Sequence, residues 1–355
     1  MPMNRVREFC QRFGLQAPIL MAPMAGACPP ELAISVANAG GLGACGALMM
    51  DPDEIGRWAA AFRAGSNGGF QMNLWIPDPP PRRDATHEAQ VRDFLGQWGP
   101  TVPPEAGDVT PQDFAMQCNA ILDVAPPVVS SIMGVYPPEV VARMRQRGIA
   151  WFATVSTVAE ARAAEAAGAD VIVAQGAEAG GHRGAFDAAE AERRAVGLFS
   201  LLPAVVDAVR LPVVATGGIA DARGFAAALL LGASAVQIGT GFLRCPEAGV
   251  HPAWAEALSH TAPEDTMLTR AFSGRTGRSV ATAYVKAAAD GPDPAPYPVQ
   301  RALTTPMRTA AQKAGDLSRL QAWAGQSAAL ARAEPAGDVV RHLWQEARAM
   351  LQGAA

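Results

Sequence analysis

Along the chain, short unbroken runs of apolar residues alternate with longer stretches in which apolar positions recur every three or four residues. The short runs are PILMAPM (18–24), GLGACGAL (41–48), GFQMNLW (69–75), VVSSIMG (128–134), AWFATV (150–155), DVIVAQG (170–176), PVVATGG (212–218) and AVQIGTGF (235–242). Continuous rather than alternating hydrophobicity over so few residues predicts strands buried on both faces, as in a parallel sheet. The stretches between them carry the helical period. PPELAISVANAG (29–40), DPDEIGRWAAAFRAG (51–65), TVAEARAAEAAGA (157–169) and DARGFAAALLLGA (221–233) are examples. Several open on Asp, Thr or Pro and close near Gly, the capping asymmetry of helices.

Strand–helix alternation specifies a parallel α/β fold. Eight strands in succession predict a (β/α)8 barrel of the TIM type. An open doubly wound sheet is the structural alternative. Its usual sign, a GxGxxG turn after the first strand, is missing, because that turn reads APMAGACPP. Two segments exceed a minimal barrel. Residues 76–112 are Pro-rich, contain one predicted helix from His87 to Trp98, and read as a rim or lid inserted after the third strand. Residues 246–355 follow the last strand. Their runs PAWAEALSH, RTAAQKA, LSRLQAWAGQSAALARA and VVRHLWQEARAML predict a mainly helical appendage packed on a barrel formed by residues 1–245.

Composition acts mostly by exclusion. Half of the 355 residues are hydrophobic, ample for a core. Yet no apolar run reaches the roughly 18–20 residues of a membrane span. The opening MPMNRVREFCQRFG lacks the apolar centre of a signal peptide, so a cytoplasmic protein is expected. A net charge of −4 with no block of like charge argues against a nucleic-acid surface. Five cysteines and five histidines are scattered, with no CxxC and no HExxH. That argues against a disulfide framework and a zinc centre and points to an organic cofactor rather than a metal.

In a parallel barrel, functional groups collect at the C-terminal ends of the strands. After the seventh strand comes ATGGIADARG (215–224), and after the eighth QIGTGFLRC (237–245). Glycines there let backbone N–H groups approach a phosphate, and Thr240 adds a hydroxyl donor. After the first strand, Ala22-Pro23-Met24 forms a nearly uncharged segment suited either to a flat ring or to core packing. Asn73, in an apolar strand, needs a hydrogen-bond partner, which backbone or a heterocycle would supply. After the sixth strand comes AQGAEAGGHRG (174–184). Gln175 puts an amide at the strand end, and Gly180 and Gly181 give a ligand room. His182 is the one histidine at a strand terminus, where an acid–base group is expected. Glu178 and Arg183 are candidates to orient it or to pair with each other.

PMAGACPPELAISVANAGGLG (23–43), QGAEAGGHRG (175–184) and PVVATGGIADARGFAAALLLGASAVQIGTGFL (212–243) resemble the nitronate monooxygenase family, formerly called 2-nitropropane dioxygenases. The likeness continues through RAFSGRTGR (270–278), APYPVQRALT (295–304) and LQAWAGQSAALAR (320–332). Only the 76–112 insertion falls outside it. The resemblance implies an FMN-dependent barrel that oxidises alkyl nitronates with dioxygen to carbonyl compounds and nitrite. It implies that Ala22, Pro23, Met24 and Asn73 line the isoalloxazine and that Gln175, Gly180 and Gly181 contact the flavin. Gly217, Gly218, Gln237, Gly239 and Thr240 would hold the phosphate. His182 matches the family's active-site histidine, either as a base toward a neutral nitroalkane or as a charged stabiliser of the anion. Cys28 and Pro29 depart from the pattern, which more usually has a small hydroxyl residue there. FMN-dependent NAD(P)H:quinone and enoyl-thioester reductases share much of this site and form the alternative reading. Homo-oligomerisation stays open.

Overall fold

The computed structural model describes residues 2–353. Each predicted apolar run contributes a strand: β1 (Ile19–Met21), β2 (Gly43–Gly46), β3 (Phe70–Trp75), β4 (Val128–Ile132), β5 (Ala150–Val155) and β6 (Val171–Gln175), then, beyond a two-residue strand β7 (Gly181–His182), β8 (Val213–Thr216) and β9 (Ala235–Ile238). All but β7 join one parallel sheet in the order β1-β9-β8-β6-β5-β4-β3-β2. A parallel bridge between Leu20 and Leu42 brings its two ends together. Met21 N donates to Leu42 O at 2.9 Å, and Leu42 N donates to Ile19 O at 3.0 Å. The result is a (β/α)8 barrel of the TIM type.

The helices follow the predicted caps. Asp51 accepts from Glu54 N while Glu54 accepts from Asp51 N, closing a capping box on Pro52–Gly65. Thr157 and Glu160 do the same for Val158–Ala167. Such caps satisfy N–H groups that the helix itself cannot. Between strands and helices lies the main apolar core, with Ile19, Met21, Phe62, Trp151, Ile172 and Phe225 among its buried members.

The two barrel mouths differ. At the N-terminal mouth, a helix not anticipated from the pattern, Pro2–Phe13, inserts Phe9 among Leu20, Leu42, Val128, Phe152, Val171 and Ala235. Phe13 packs edge-on to Phe152 with ring centroids 5.0 Å apart. That mouth is a packed plug. At the C-terminal mouth, the 76–112 insertion and residues 266–307 share a second core. Val91, Leu95 and Val102 of the insertion pack with Phe272, Tyr284, Val299, Leu303 and Met307. The insertion's helix runs Ala85–Gly96.

Residues 246–353 are more varied than their helical pattern predicts. They contain the antiparallel pair β10 (Thr266–Thr269) and β11 (Gly277–Val280). The pair forms a three-stranded sheet with β7, in which Gly277 pairs with His182 and Arg278 with Gly181. LSRLQAWAGQSAALARA is not a helix. It runs over turns with one 3-10 turn at Ala328–Leu330, because its backbone groups bond elsewhere. Val280 N donates to Ala322 O, Ala324 N to Arg278 O, and Gln326 N to Glu178 O. The last helix, Ala336–Gly353, returns to the barrel wall, where Trp344 meets Phe225 with ring centroids 5.7 Å apart. Among the described residues, no helix is long and apolar enough to cross a membrane.

Candidate functional site

Between the strand C-termini and the cap lies a cavity of about 470 Å³, within the range of small-molecule sites. It is lined from β1 by Ala22, Pro23 and Met24, from β3 by Asn73, and from the end of β6 by Gln175, Gly180, Gly181 and His182. The loops after β8 and β9 add Gly217, Gly218, Gln237, Gly239 and Thr240. The parallel barrel brings these together because all eight strands run the same way, so their C-terminal ends share one rim.

Two regions of the wall present unused hydrogen-bonding capacity. Gly217 (φ 109°) and Gly218 (φ 70°) sit in the left-handed region that glycine tolerates. Among the described residues, the backbone N–H groups of Gly217, Gly218, Gly239 and Thr240 find no protein acceptor. The Thr240 hydroxyl accepts from Gly325 N at 3.0 Å, and its own proton stays available. Successive free N–H groups of this kind form an anion cradle. Deeper in, the Gln237 Oε1 accepts from Gln71 Nε2 at 3.1 Å, which leaves the Gln237 amide N–H groups unused. Asn73 donates to Ser130 Oγ at 3.1 Å and keeps its Oδ1 unpaired. A heterocycle with both donors and acceptors on its edge matches such a wall.

Gln175 is committed to the protein. Its Nε2 donates to His182 O at 3.0 Å and its Oε1 accepts from Gly184 N at 2.7 Å, so it pins the loop that carries the histidine. Glu178 and Arg183 meet neither each other nor the His182 ring. Both Glu178 carboxylate oxygens accept from Leu198 N at 2.9 Å, at the positive end of helix Leu198–Ala208. Arg183 is buried and donates to the carbonyls of Gly176 and Gln175. Burial, and then neighbouring Arg278, pull its pKa down to about 10, and it stays charged at neutral pH.

The imidazole of His182 sits between two indoles, with Trp75 edge-on at 4.6 Å and Trp323 tilted at 4.8 Å between centroids. Its Nε2 lies 2.7 Å from Ser273 Oγ. That hydroxyl is also 3.1 Å from Arg275 O and 3.3 Å from Arg275 N. A serine hydroxyl has one proton and two acceptor sites. All three contacts are satisfied when Ser273 donates to Arg275 O and accepts from both Arg275 N–H and His182 Nε2–H. This network places the imidazole proton on Nε2, and Nδ1, which has no partner among the described residues, keeps its lone pair. Burial, then the positive charges of Arg275 and Arg301, pull the His182 pKa down to about 3. The ring is therefore neutral near pH 7, with the Nδ1 lone pair free.

Several groups around the cavity escaped the sequence reading. Trp75 ends β3, a strand terminus where a functional residue is legible. Ser273, Arg301, Arg308 and Trp323 come from beyond the barrel, where no period indicates which residues face the cavity. Arg275, buried, forms a two-point ion pair with Asp78 at 2.7 and 2.5 Å, tying the insertion to the Ser273 turn. Among the described residues, no Asp or Glu lines the cavity, whereas Arg301 and Arg308 do. The described residues contain no cluster of metal-ligating side chains.

The family model described as nitronate monooxygenase matches residues 7–346. A nitronate monooxygenase from Paraburkholderia phytofirmans is 38% identical over 354 residues, covering 98% of this chain and 96% of that protein. The nitroalkane oxidase from Streptomyces ansochromogenes superposes with a TM-score of 0.88 at 38% identity, over 97% of this chain and 99% of its own. FabK from Thermotoga maritima superposes with a TM-score of 0.73 at 26% identity, over 98% and 97% of the two chains.

Proposed function

Because this chain belongs to the nitronate monooxygenase family, we propose that it oxidises alkyl nitronates with dioxygen to a carbonyl compound and nitrite, using FMN held over the barrel mouth. One observation carries the reading. A single cavity without carboxylates combines free backbone N–H groups at Gly217, Gly218, Gly239 and Thr240 with the unpaired amide groups of Gln237 and Asn73 and a neutral imidazole at His182. An anion cradle, a mixed donor–acceptor wall and a proton acceptor are what a phosphate, a flavin ring and a nitro compound require.

When bound, FMN supplies the electron-accepting ring of the oxidation. The free N–H groups and the Thr240 hydroxyl would hold its phosphate. Ala22, Pro23, Met24, Asn73 and Gln237 would line the ring, with Gly180 and Gly181 beside it. Gln175 acts at one remove, fixing the 182–184 loop through its two hydrogen bonds.

His182 serves as the base. Its Nδ1 takes the proton from the carbon bearing the nitro group, and the electron pair of that C–H bond passes into the nitro group to give the nitronate. Ser273 holds the proton on Nε2 throughout. A substrate supplied as the nitronate needs no such transfer. Trp75 and Trp323 flank the ring, and burial keeps it neutral, the form in which Nδ1 has a lone pair to offer.

The test is oxygen uptake and nitrite release by FMN-loaded protein given propyl-2-nitronate. Consumption of both reactants is expected, and no oxygen uptake with this or propionate 3-nitronate would sink the reading. With neutral 2-nitropropane, H182N should lose about 10²- to 10⁴-fold in kcat/KM, while retaining its flavin.

A further inference from the structure

Arg301 stands out as a charge without a counter-charge. It sits in the short helix Val299–Leu303 and lines the same cavity as His182. Among the described residues, its guanidinium makes no hydrogen bond and no ion pair, although nearby Arg270 and Arg275 each hold an aspartate. None of its nitrogens is sealed away from the cavity as an orphaned buried atom. Arg308, also on the wall, differs. Its nitrogens donate to Thr304 Oγ1 at 3.0 Å, Gln321 Oε1 at 3.0 Å, Thr305 Oγ1 at 3.0 Å and the Arg301 carbonyl at 2.8 Å. All four acceptors are neutral, so Arg308 keeps its full charge while clamping the Arg301 backbone.

Among the described residues, the cavity therefore carries two positive charges and no negative one, in a chain whose overall charge is −4. Positive groups converging in a partly enclosed site attract an anion. A planar guanidinium presents a fork of donors that fits two oxygens on one atom. The nitronate group is such a pair, O–N–O with the negative charge spread over both oxygens.

Resting on the nitronate-oxidation reading, we propose that Arg301 is the substrate anchor, gripping the two nitronate oxygens while Arg308 fixes its backbone and adds to the positive field. His182 and Arg301 then divide the work. The arginine binds the oxygens, and the histidine faces the carbon. No chemical step is added, since the arginine neither gains nor loses a proton. The FMN phosphate is the rival anion for the same guanidinium.

The experiment compares wild type, R301Q and R301K, each loaded with FMN, in steady-state oxygen uptake with propyl-2-nitronate. Flavin content is read from absorbance, and nitrate binding is measured by isothermal titration calorimetry. Nitrate serves as an unreactive planar oxyanion. In R301Q the KM for the nitronate should rise by roughly 10- to 100-fold, the size expected for a lost charged hydrogen bond, with flavin content unchanged. R301K should recover part of the loss, because charge returns without the fork. Nitrate should bind wild type and bind R301Q at least tenfold more weakly. A KM within twofold of wild type, or nitrate binding equal in both, overturns the assignment. Loss of flavin from R301Q and R301K also overturns it, by giving the arginine to the cofactor. If wild type consumes no oxygen with any nitronate, the functional reading falls, and the nitrate titration still decides whether Arg301 is an anion site.

Discussion

At the scale of single residues, the structure separates groups that face the cavity from groups that hold them. In AQGAEAGGHRG, only His182 directs an unpaired polar side-chain atom into the space. Gln175, Glu178 and Arg183 all spend their hydrogen bonds on the loop or on the helix behind it. The sequence placed four polar residues among glycines and left their roles open, because no period tells which polar group closes on which partner, whether within the loop, as for Gln175 and Arg183, or across the fold, as for His182 and Ser273. His182 acquires its character in the same manner. Burial and two arginines from the cap lower its pKa from 6.5 to about 3. In the free enzyme the neutral form persists as pH falls through the ordinary imidazole range. The kcat/KM for a neutral nitroalkane should therefore show no acid limb from His182 between about pH 5 and 8. A pH–rate profile with an inflection near 6.5 would contradict the buried, neutral base. Stability moves with the same sign. Below 6.5 the unfolded chain takes up a proton that the folded state refuses, so this group's effect destabilises the fold as pH drops toward 3 and vanishes above 6.5.

At the scale of elements, the segment 322–327 is the piece that pattern misassigned. Its apolar spacing suits a helix, yet its backbone is recruited to the barrel rim. Gly325 N donates to Thr240 Oγ1, Gln326 N to Glu178 O, and Ser327 Oγ to Gly218 O at 2.7 Å. This strap lies so close that a Cβ on Gly180 would come within 2.5 Å of Gly325 N and 2.7 Å of Ala324 C. Gly180 is therefore required by protein backbone, in addition to any room it gives a ligand. Gly180→Ala must push the strap away from Thr240, costing about 1–3 kcal/mol as overpacking does. The expected readouts are a lowered melting temperature together with reduced flavin content, because the strap and the anion cradle share Thr240. Unchanged melting and flavin content would show that the strap yields freely.

At the scale of the whole molecule, the two barrel mouths are closed by different means. The N-terminal helix fills one with phenylalanines packed among strand residues. The insertion and the 266–307 region roof the other with their own apolar core, leaving a cavity beneath. The roof supplies Ser273, Arg275 and Arg301, and the 322–327 strap supplies Trp323, so the barrel alone would keep the strand-end residues but lack the tautomer-fixing serine and the cavity arginine. The flavin-dependent reductase alternative is separated from nitronate oxidation by a direct measurement. Anaerobic NADPH should leave the absorbance of the bound flavin near about 450 nm, an intrinsic band of the oxidised cofactor, unchanged over minutes, whereas propyl-2-nitronate should bleach it. Rapid bleaching by NADPH would favour the reductase.

The sequence by itself determined the barrel, because continuous apolar runs and capped helical periods are local signals that the tertiary structure had only to assemble. It also located the rim residues of the cavity, since parallel strands deliver their C-terminal ends to one place. The tertiary structure alone decided which polar groups remain free there, how His182 is protonated, and that arginines from beyond the barrel face it. Those outcomes depend on hydrogen-bond partners far apart in the chain and on burial, and neither leaves a period to read.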